Sequence, residues 1–586
     1  MNLFDDDRTA DREPDGADGE TGITRRHLIR GGAAAGVVAA VAVASPVEVS
    51  ATPTGPTSLR GGSRIRHGHR NPSLAFEAVA INEDDAVTVP GGYLAQVINP
   101  WGDPIEPGGP AFRFDARNTA ADQARQFGMG HDGMALFEIS RSRGLMVTNH
   151  EAIDAESILF PSAPDYSDTE TVRKAQNAHG VSVAEIALRG GSWRTIRSRF
   201  ARRITANTPM EITGPAAGHP LMRTSADPSG RRSLGTVNNC GDGRTPWRTY
   251  LTCEENFNRY FGTTAGGFTP TELMERYGVG EGDNPWWLGD PRFDLAENPN
   301  EPNRFGWIVE IDPFDRDAAP RKRTALGRLK HENAAFAEGR RGQAVVYTGD
   351  DERFQHLYKF VSRHAWRRGD WRRHPMRTSP LDDGILYVAR FDDDGTGEWV
   401  PLVPGSVPGY ASLAEILIDT RGAAAAVGAT PMDRPEWIAV HPDQPGIAYG
   451  TFTNNTRRTE ADAANPRANN RSGHIIRWHN DDGDHAATSF TWSMFALAGA
   501  GLGSGDGSTI PPGDAFGSPD GLAFDPDGRL WIQTDGSQPM PCNNQMLAAD
   551  PLSGDIRRFL VGPKGAEITG WTMTTDQRTM FVNVQH

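Results

Sequence analysis

The chain has 586 residues, a formal net charge of −15 at neutral pH, 66 glycines, 42 prolines and three cysteines. This length is enough for a large buried core, and so acidic a surface disfavours nucleic acid and anionic lipid as partners. Abundant glycine and proline with dispersed aromatic residues favour many short strands joined by turns over a helical fold.

Residues 1–23 are polar and acidic, with Asp5-Asp6-Asp7 and no apolar periodicity. Thr24-Arg25-Arg26-His27-Leu28-Ile29-Arg30 then leads into an alanine-rich apolar run from Gly31 to Ala44. Paired arginines before a mild apolar stretch read as a twin-arginine (Tat-type) export signal. The run is too short for a membrane span, which needs about 20 apolar residues. Ala42-Val43-Ala44 fits the cleavage pattern, with Val49-Ser50-Ala51 as a second choice. The expectation is a signal over 1–44 and one domain over 45–586, exported by the Tat machinery to the periplasm or the exterior without stable membrane insertion. Because that route carries folded proteins, often with cofactor loaded, it is a first hint of a metalloprotein.

One pattern then recurs: a polar start, an apolar strand, a glycine-containing turn and a second strand ending in polar residues. It runs from His131-Asp132-Gly133 through Leu145-Met146-Val147 to Asn149-His150-Glu151. The second copy is Asn239-Cys240-Gly241 through Tyr250-Leu251-Thr252-Cys253 to Glu254-Glu255. The third begins at His331-Glu332-Asn333 and ends at Asp350-Asp351-Glu352; the fourth begins at Pro435-Glu436-Trp437 and ends at Asn454-Asn455. The fifth begins at Ser518-Pro519-Asp520, turns at Asp527-Gly528 and ends before Asp535; a weaker sixth begins at Thr569-Gly570-Trp571. Asp-Gly between apolar runs is a strong hairpin signal. Irregularly spaced hairpins of one design predict an all-β, six-bladed β-propeller with large inter-strand insertions. Residues 260–305 and 355–385 read as such insertions, and the arginine-rich stretch from Arg363 to Arg377 reads as solvated.

In a propeller the starts of the innermost strands converge on one end of the channel. Cys240, Glu332, Glu436 and Asp520 share that phase. Aspartate at a hairpin end is often only a turn former, but glutamate and cysteine are not, so Glu332, Glu436 and Cys240 weigh most. Carboxylates suit Ca²⁺, Mg²⁺, Mn²⁺ or ferric iron, while a thiolate among them points to a transition metal in at least one position. A zinc ribbon is ruled out by the absence of paired cysteines at workable spacing, and no helical zinc motif or phosphate-binding glycine loop appears. The odd cysteine count leaves a thiol unpaired or metal-bound; a Cys253–Cys542 disulfide with Cys240 free is one arrangement it allows. Arg434, just before Pro435-Glu436, is placed to fork onto a phosphate; Arg328 and Lys330 carry less weight.

Asn238-Asn239-Cys240-Gly241-Asp242-Gly243-Arg244-Thr245-Pro246-Trp247-Arg248-Thr249-Tyr250-Leu251-Thr252-Cys253-Glu254-Glu255-Asn256, with Gly327-Arg328-Leu329-Lys330-His331-Glu332, Gly349-Asp350-Asp351 and Arg434-Pro435-Glu436, resembles the PhoX-type alkaline phosphatases. The resemblance implies an axial site with two ferric ions and two to three calcium ions. Carried over by motif, Cys240 bridges the irons, Glu255 and Glu332 are iron or bridging ligands, and Glu151, Asp351 and Glu436 complete the cluster. Arg434 holds the substrate phosphate. Repeat phase adds Asp520 as a ligand, and adjacency adds Glu254. Asp242 departs from the small or uncharged residue expected in the cysteine turn.

The implied activity is hydrolysis of small-molecule phosphate monoesters through a metal-bound oxide or hydroxide, by a monomeric enzyme. Two rivals remain at this level. One is a calcium-dependent propeller esterase or lactonase, which has no use for the thiolate; the other is a catalytically silent secreted binding module.

Overall fold

A computed structural model describes residues 37–43, 74–153, 156–280, 282–366, 376 and 379–586. The chain is predominantly β, and among the described residues its strands lie in five hydrogen-bonded sheets. The largest, of nine strands, joins two antiparallel runs through the pairing of Thr396–Pro401 with Ser489–Leu497.

The recurrent pattern becomes six antiparallel hairpins. In chain order they are His131–Ser140 with Arg143–His150, Asn239–Arg244 with Tyr250–Glu254, and Ala335–Glu338 with Gln343–Gly349. Pro435–Val440 with Ile447–Phe452, Pro519–Phe524 with Leu530–Thr534, and Glu567–Met573 with Thr579–Gln585 follow. The fifth shows why these turns form: Asp525 Oδ1 accepts from the backbone N–H groups of Asp527 and Arg529, each at 3.0 Å, and Gly528 takes a φ of 86°.

First strands of successive hairpins pack side by side, and the sixth packs back on the first, closing a ring. Closure brings backbones very near one another at the axis. A Cβ on Gly241 would lie 2.2 Å from the Glu332 carbonyl oxygen, and one on Gly570 would lie 2.5 Å from that of Asp132. Only glycine permits these approaches. The hydrophobic core is divided between neighbouring sheets. Val147, Val183, Tyr250 and Val309 fill the interface between two of them, and Tyr347, Ile438, Trp478 and Trp399 pack between the two runs of the nine-stranded sheet.

Two findings differ from the sequence reading. Residues 260–305 form more than a polar connection: Tyr260, Phe261, Trp286, Phe293 and Phe305 pack with Phe257 and Tyr277 into a satellite core over the second hairpin. Their irregular spacing, set by short 3₁₀ turns rather than a continuous helix or strand, gives no periodic signal. Secondly, Val37–Val43, within the apolar run read as an export signal, lies as an antiparallel strand between Tyr93–Ile98 and Thr579–Gln585. The twin arginines, the second cleavage pattern and most of Arg363–Arg377 lie outside the described residues. Among the described residues no helix is long and apolar enough to cross a membrane. All three cysteines are free and buried, so Cys253 and Cys542 form no disulfide.

Candidate metal centre

Each hairpin enters the axis through an irregularity in its ladder. Register shifts fall between His131 and Met134, Asn239 and Asp242, Pro435 and Ile438, Pro519 and Leu522, and Thr569 and Trp571. In the third hairpin, a lone bridge from His331 to Asp350 precedes the regular ladder that starts at Ala335. A bulge leaves one residue unpaired and turns its side chain away from the ladder. Asp132, Cys240, Glu332, Glu436 and Asp520 occupy those positions; the sixth hairpin places Gly570 there. A second row comes from residues just past the second strands: Glu151, Glu255 and Asp351.

These two rows meet. Ligand atoms of Asp132, Glu151 and Cys240 lie within 4.8 Å of one another, as do those of Glu255, Glu332 and Asp351, and those of Glu332, Glu436 and Asp520. Glu332 belongs to two of the sets, and its Oε1 lies 2.8 Å from Cys240 Sγ, which connects the third. Seven of the eight side chains are buried; Glu151 is partly exposed. The bulge carrying Cys240 is braced by Asn149, whose amide donates to the carbonyls of Cys240 at 2.6 Å and Gly241 at 2.9 Å. Asn149 is held in turn by hydroxyl donors on Tyr250 and Thr252, at 2.9 and 2.8 Å.

The electrostatics of this set are one-sided. Burial, and then the charges of Asp132, Glu332, Glu151 and Glu255, push the Cys240 thiol well above its ordinary range. Burial and the neighbouring Glu436, Asp520, Glu255 and Asp351 raise Glu332 likewise. Glu436 is raised by burial, Asp351 and Asp520, and Asp520 by burial, Glu567 and Asp535. Burial and Glu151 lift Asp132 to about 7. A buried array of this charge must hold protons or cations. Seven carboxylates and one thiol form a donor set suited to several metal ions, with the thiolate favouring a transition metal at its end.

Arg434 is the cation within the array. Its Nε and Nη2 fork onto the two oxygens of Asp351, at 2.8 and 2.6 Å, and Nη2 lies 3.1 Å from Glu436 Oε1. These bonds leave Nη1 as the donor they do not use. Arg434 has a φ of 54°, in a region unfavourable to side chains other than glycine and often found where function holds strain.

Glu254 does not join the centre. Its Oε1 is 2.7 Å from Lys322 Nζ and its Oε2 accepts from the Trp307 N–H at 3.1 Å, with the ion pair wholly buried. Successive strand residues face opposite ways, so Glu254 turns into the sheet interface while Glu255 turns to the axis. Asp242 is also outside the donor sets: it has rejoined the ladder opposite Thr252. Burial raises its carboxyl well above the usual range, against the opposing charge of Arg244. The flanking histidines are packing residues. His131 Nε2 contacts the Asn99 carbonyl at 3.0 Å, His150 Nε2 contacts Ser182 Oγ at 2.6 Å, and their rings meet edge to face. Burial holds His131 neutral, at about 3.

Two features were missing from the sequence reading. Asp132 occupies the first copy of the very phase that marked Cys240, Glu332, Glu436 and Asp520, so its signal was present. Asp535, Glu567 and His586 form a further set within 4.8 Å, with His586 Nε2 3.4 Å from Glu567 Oε2. Asp535 follows its second strand as Glu151 and Glu255 follow theirs, but Glu567 lies before its bulge and His586 beyond its ladder, where phase gives no guidance.

A family model described as alkaline phosphatase PhoX matches residues 74–586. Among solved structures, the chain is similar to Pseudomonas fluorescens PhoX in complex with vanadate, a transition-state analogue. The identity is 47%, the TM-score 0.84, and the match covers 88% of this chain and 93% of that one. A gluconolactonase from Xanthomonas campestris matches at 12% identity and a TM-score of 0.27, over 77% of this chain and 95% of that one. No curated protein matches the chain. The axial ring, the buried thiol–carboxylate array and the match over residues 74–586 agree, and the chain belongs to the PhoX family of alkaline phosphatases.

Proposed function

We propose that this phosphatase hydrolyses phosphate monoesters at an axial centre of two ferric and two to three calcium ions, in a six-bladed propeller that counts the nine-stranded sheet as two blades. The observation that carries the reading is the buried Cys240 thiol, 2.8 Å from Glu332 and surrounded by carboxylates of other hairpins. Thiolate selects for a transition metal, while the carboxylates suit ferric iron and calcium. Cys240 would bridge the irons, with Glu255 and Glu332 as iron or bridging ligands. Glu151, Asp351, Glu436 and Asp520 would complete the cluster, and Asp132 joins Cys240 and Glu151 on geometry. When bound, the cations supply neutralisation of phosphoryl oxygens and an activated oxygen nucleophile.

The chain's own residues bind and orient the substrate. Arg434, anchored by Asp351, directs its remaining donor to a phosphoryl oxygen, which fixes the phosphorus for in-line attack. Overall one water is consumed: its oxygen bonds to phosphorus as the P–O bond to the alcohol oxygen breaks, and one of its protons passes to that oxygen, giving the alcohol and inorganic phosphate. Phosphoryl transfer spreads charge over the equatorial oxygens, so fixed cations around them supply most of the rate. They also make an attractive site for an anion in an acidic protein. The vanadate bound by the Pseudomonas fluorescens relative supports the same oxyanion site here.

The twin arginines and following apolar run support Tat export to the periplasm or exterior, and we take the active unit as a monomer. Cleavage after Ala44 would remove Val37–Val43 from its sheet, leaving Thr579–Gln585 without that neighbour. N-terminal sequencing of the exported protein tests this, since a start beyond residue 44 fits a cleaved leader and retention of residue 37 contradicts it. The activity is tested by assaying phosphate esters with metal-replete Cys240→Ala protein; full activity with iron retained would remove Cys240 from its role.

A further inference from the structure

Phe354 sits three residues beyond Asp351, in the connection that leaves the third hairpin. It is 38% exposed and has a φ of 70°. A bulky side chain in this left-handed region is an outlier, because its Cβ crowds the backbone where glycine would not. The residue still leaves more than a third of its surface open to solvent. Strain of this kind persists where surrounding structure enforces it, and it concentrates at ligand-contacting sites.

The surroundings do enforce it. The Phe354 N–H donates to the Met432 carbonyl at 2.8 Å, the Met432 N–H donates to the Gln355 carbonyl at 2.9 Å, and Arg353 forms an antiparallel bridge with Asp433. The turn is therefore stitched to the residues that lead directly into Arg434. One face of the ring lies over the Arg458 guanidinium, with Cζ 5.3 Å from its centroid. Arg458 in turn is bonded through Nε to Asp433 Oδ1 at 2.5 Å. The strap that leads into Arg434 thus also fixes the backbone of a partly exposed aromatic residue, with Arg458 against its ring. A guanidinium behind one face leaves the ring able to take a planar group on the other.

We propose that Phe354 is a specificity-determining residue that stacks on the alcohol portion of the substrate and favours phosphate monoesters with a planar, aromatic leaving group. The inference rests on the phosphatase reading of the centre, with Arg434 on the phosphoryl group. Phe354 takes no part in bond making; it adds affinity for the part of the ester that departs.

The test compares phenyl phosphate with glycerol 2-phosphate in the metal-replete full chain. Phe354→Gly removes the ring at a position whose φ suits glycine, so folding is retained, and Phe354→Tyr keeps the ring. For phenyl phosphate, Phe354→Gly raises KM about 3- to 10-fold with kcat unchanged, the range expected of one aromatic stacking contact. KM for glycerol 2-phosphate stays at the parent value in both variants, and Phe354→Tyr restores the parent KM for phenyl phosphate. Equal changes for both esters, or no change for either, would overturn the assignment. If the parent hydrolyses neither ester, the phosphatase reading itself fails and takes this inference with it, an outcome visible before any variant is made.

Discussion

Glu254 and Glu255 are adjacent, both buried and both carboxylates, yet they solve the cost of burial in different ways. Glu254 faces the sheet interface and has a resident cation, Lys322, at 2.7 Å, with the Trp307 N–H as a further donor. Glu255 faces the axis, where Glu332 and Asp351 lie within ligand distance and carry the same charge. The first environment is complete within the polypeptide. The second becomes complete when cations are supplied, so like-charge clustering, more than burial alone, distinguishes a binding centre from a structural ion pair.

The comparison is broken most severely at the axis. Cys240→Ala should lose iron and reduce phosphate-ester turnover by roughly 10³-fold, a scale typical of removing a principal electrostatic element. The folded fraction should stay high, measured by metal analysis and circular dichroism together. The opposite pattern is expected at the structural pair. Lys322→Met strands Glu254 without its partner and should cost about 3–5 kcal/mol in denaturant unfolding, while metal content per folded chain is unchanged.

Chelation sharpens the contrast through pH. Asp132, raised to about 7 by burial and Glu151, binds its proton more tightly when folded than at an unfolded value of about 3.9. The folded metal-free protein therefore holds more protons than the unfolded chain, and its stability falls as pH rises. This contribution is fully present below the unfolded value and is lost as pH rises through about 7. Melting temperature of the chelated protein should drop across that window, and added metal should reverse the drop at its upper end. A melting temperature that rises with pH in the chelated protein would contradict the crowding of acids at the axis.

Smaller effects probe the periphery of the centre. Arg434→Lys keeps the charge but loses the fork onto Asp351, and KM for phosphate esters should rise on the order of 10-fold with iron retained. Asp242→Asn should leave metal content and kinetics at parent values, since Asp242 has returned to the ladder. A loss of calcium in that variant would bring Asp242 into the centre after all.

Much of this arrangement was legible in the chain. The repeat phase carried Cys240, Glu332, Glu436 and Asp520 to one end of the ring, because each falls in the same break of its ladder. Asp132 was legible by the same rule. The choice between Glu254 and Glu255 was not, because the bulge at Cys240 shifts the alternation of its hairpin and sequence does not say by how much. Lys322, the partner that removes Glu254 from the axis, lies 68 residues along the chain, so only packing reveals it. The set of Asp535, Glu567 and His586 is similarly a product of two hairpins meeting. Residues 260–305 hid their aromatic core because the rings come from short turns and irregular segments.

The most direct test of the central claim is elemental analysis of the purified folded protein, paired with a phosphate-ester assay on the same sample. The prediction is iron near two per chain, the stoichiometry of a two-metal site, accompanied by calcium, with iron and activity lost together in Cys240→Ala. Full phosphatase activity with calcium alone would contradict it.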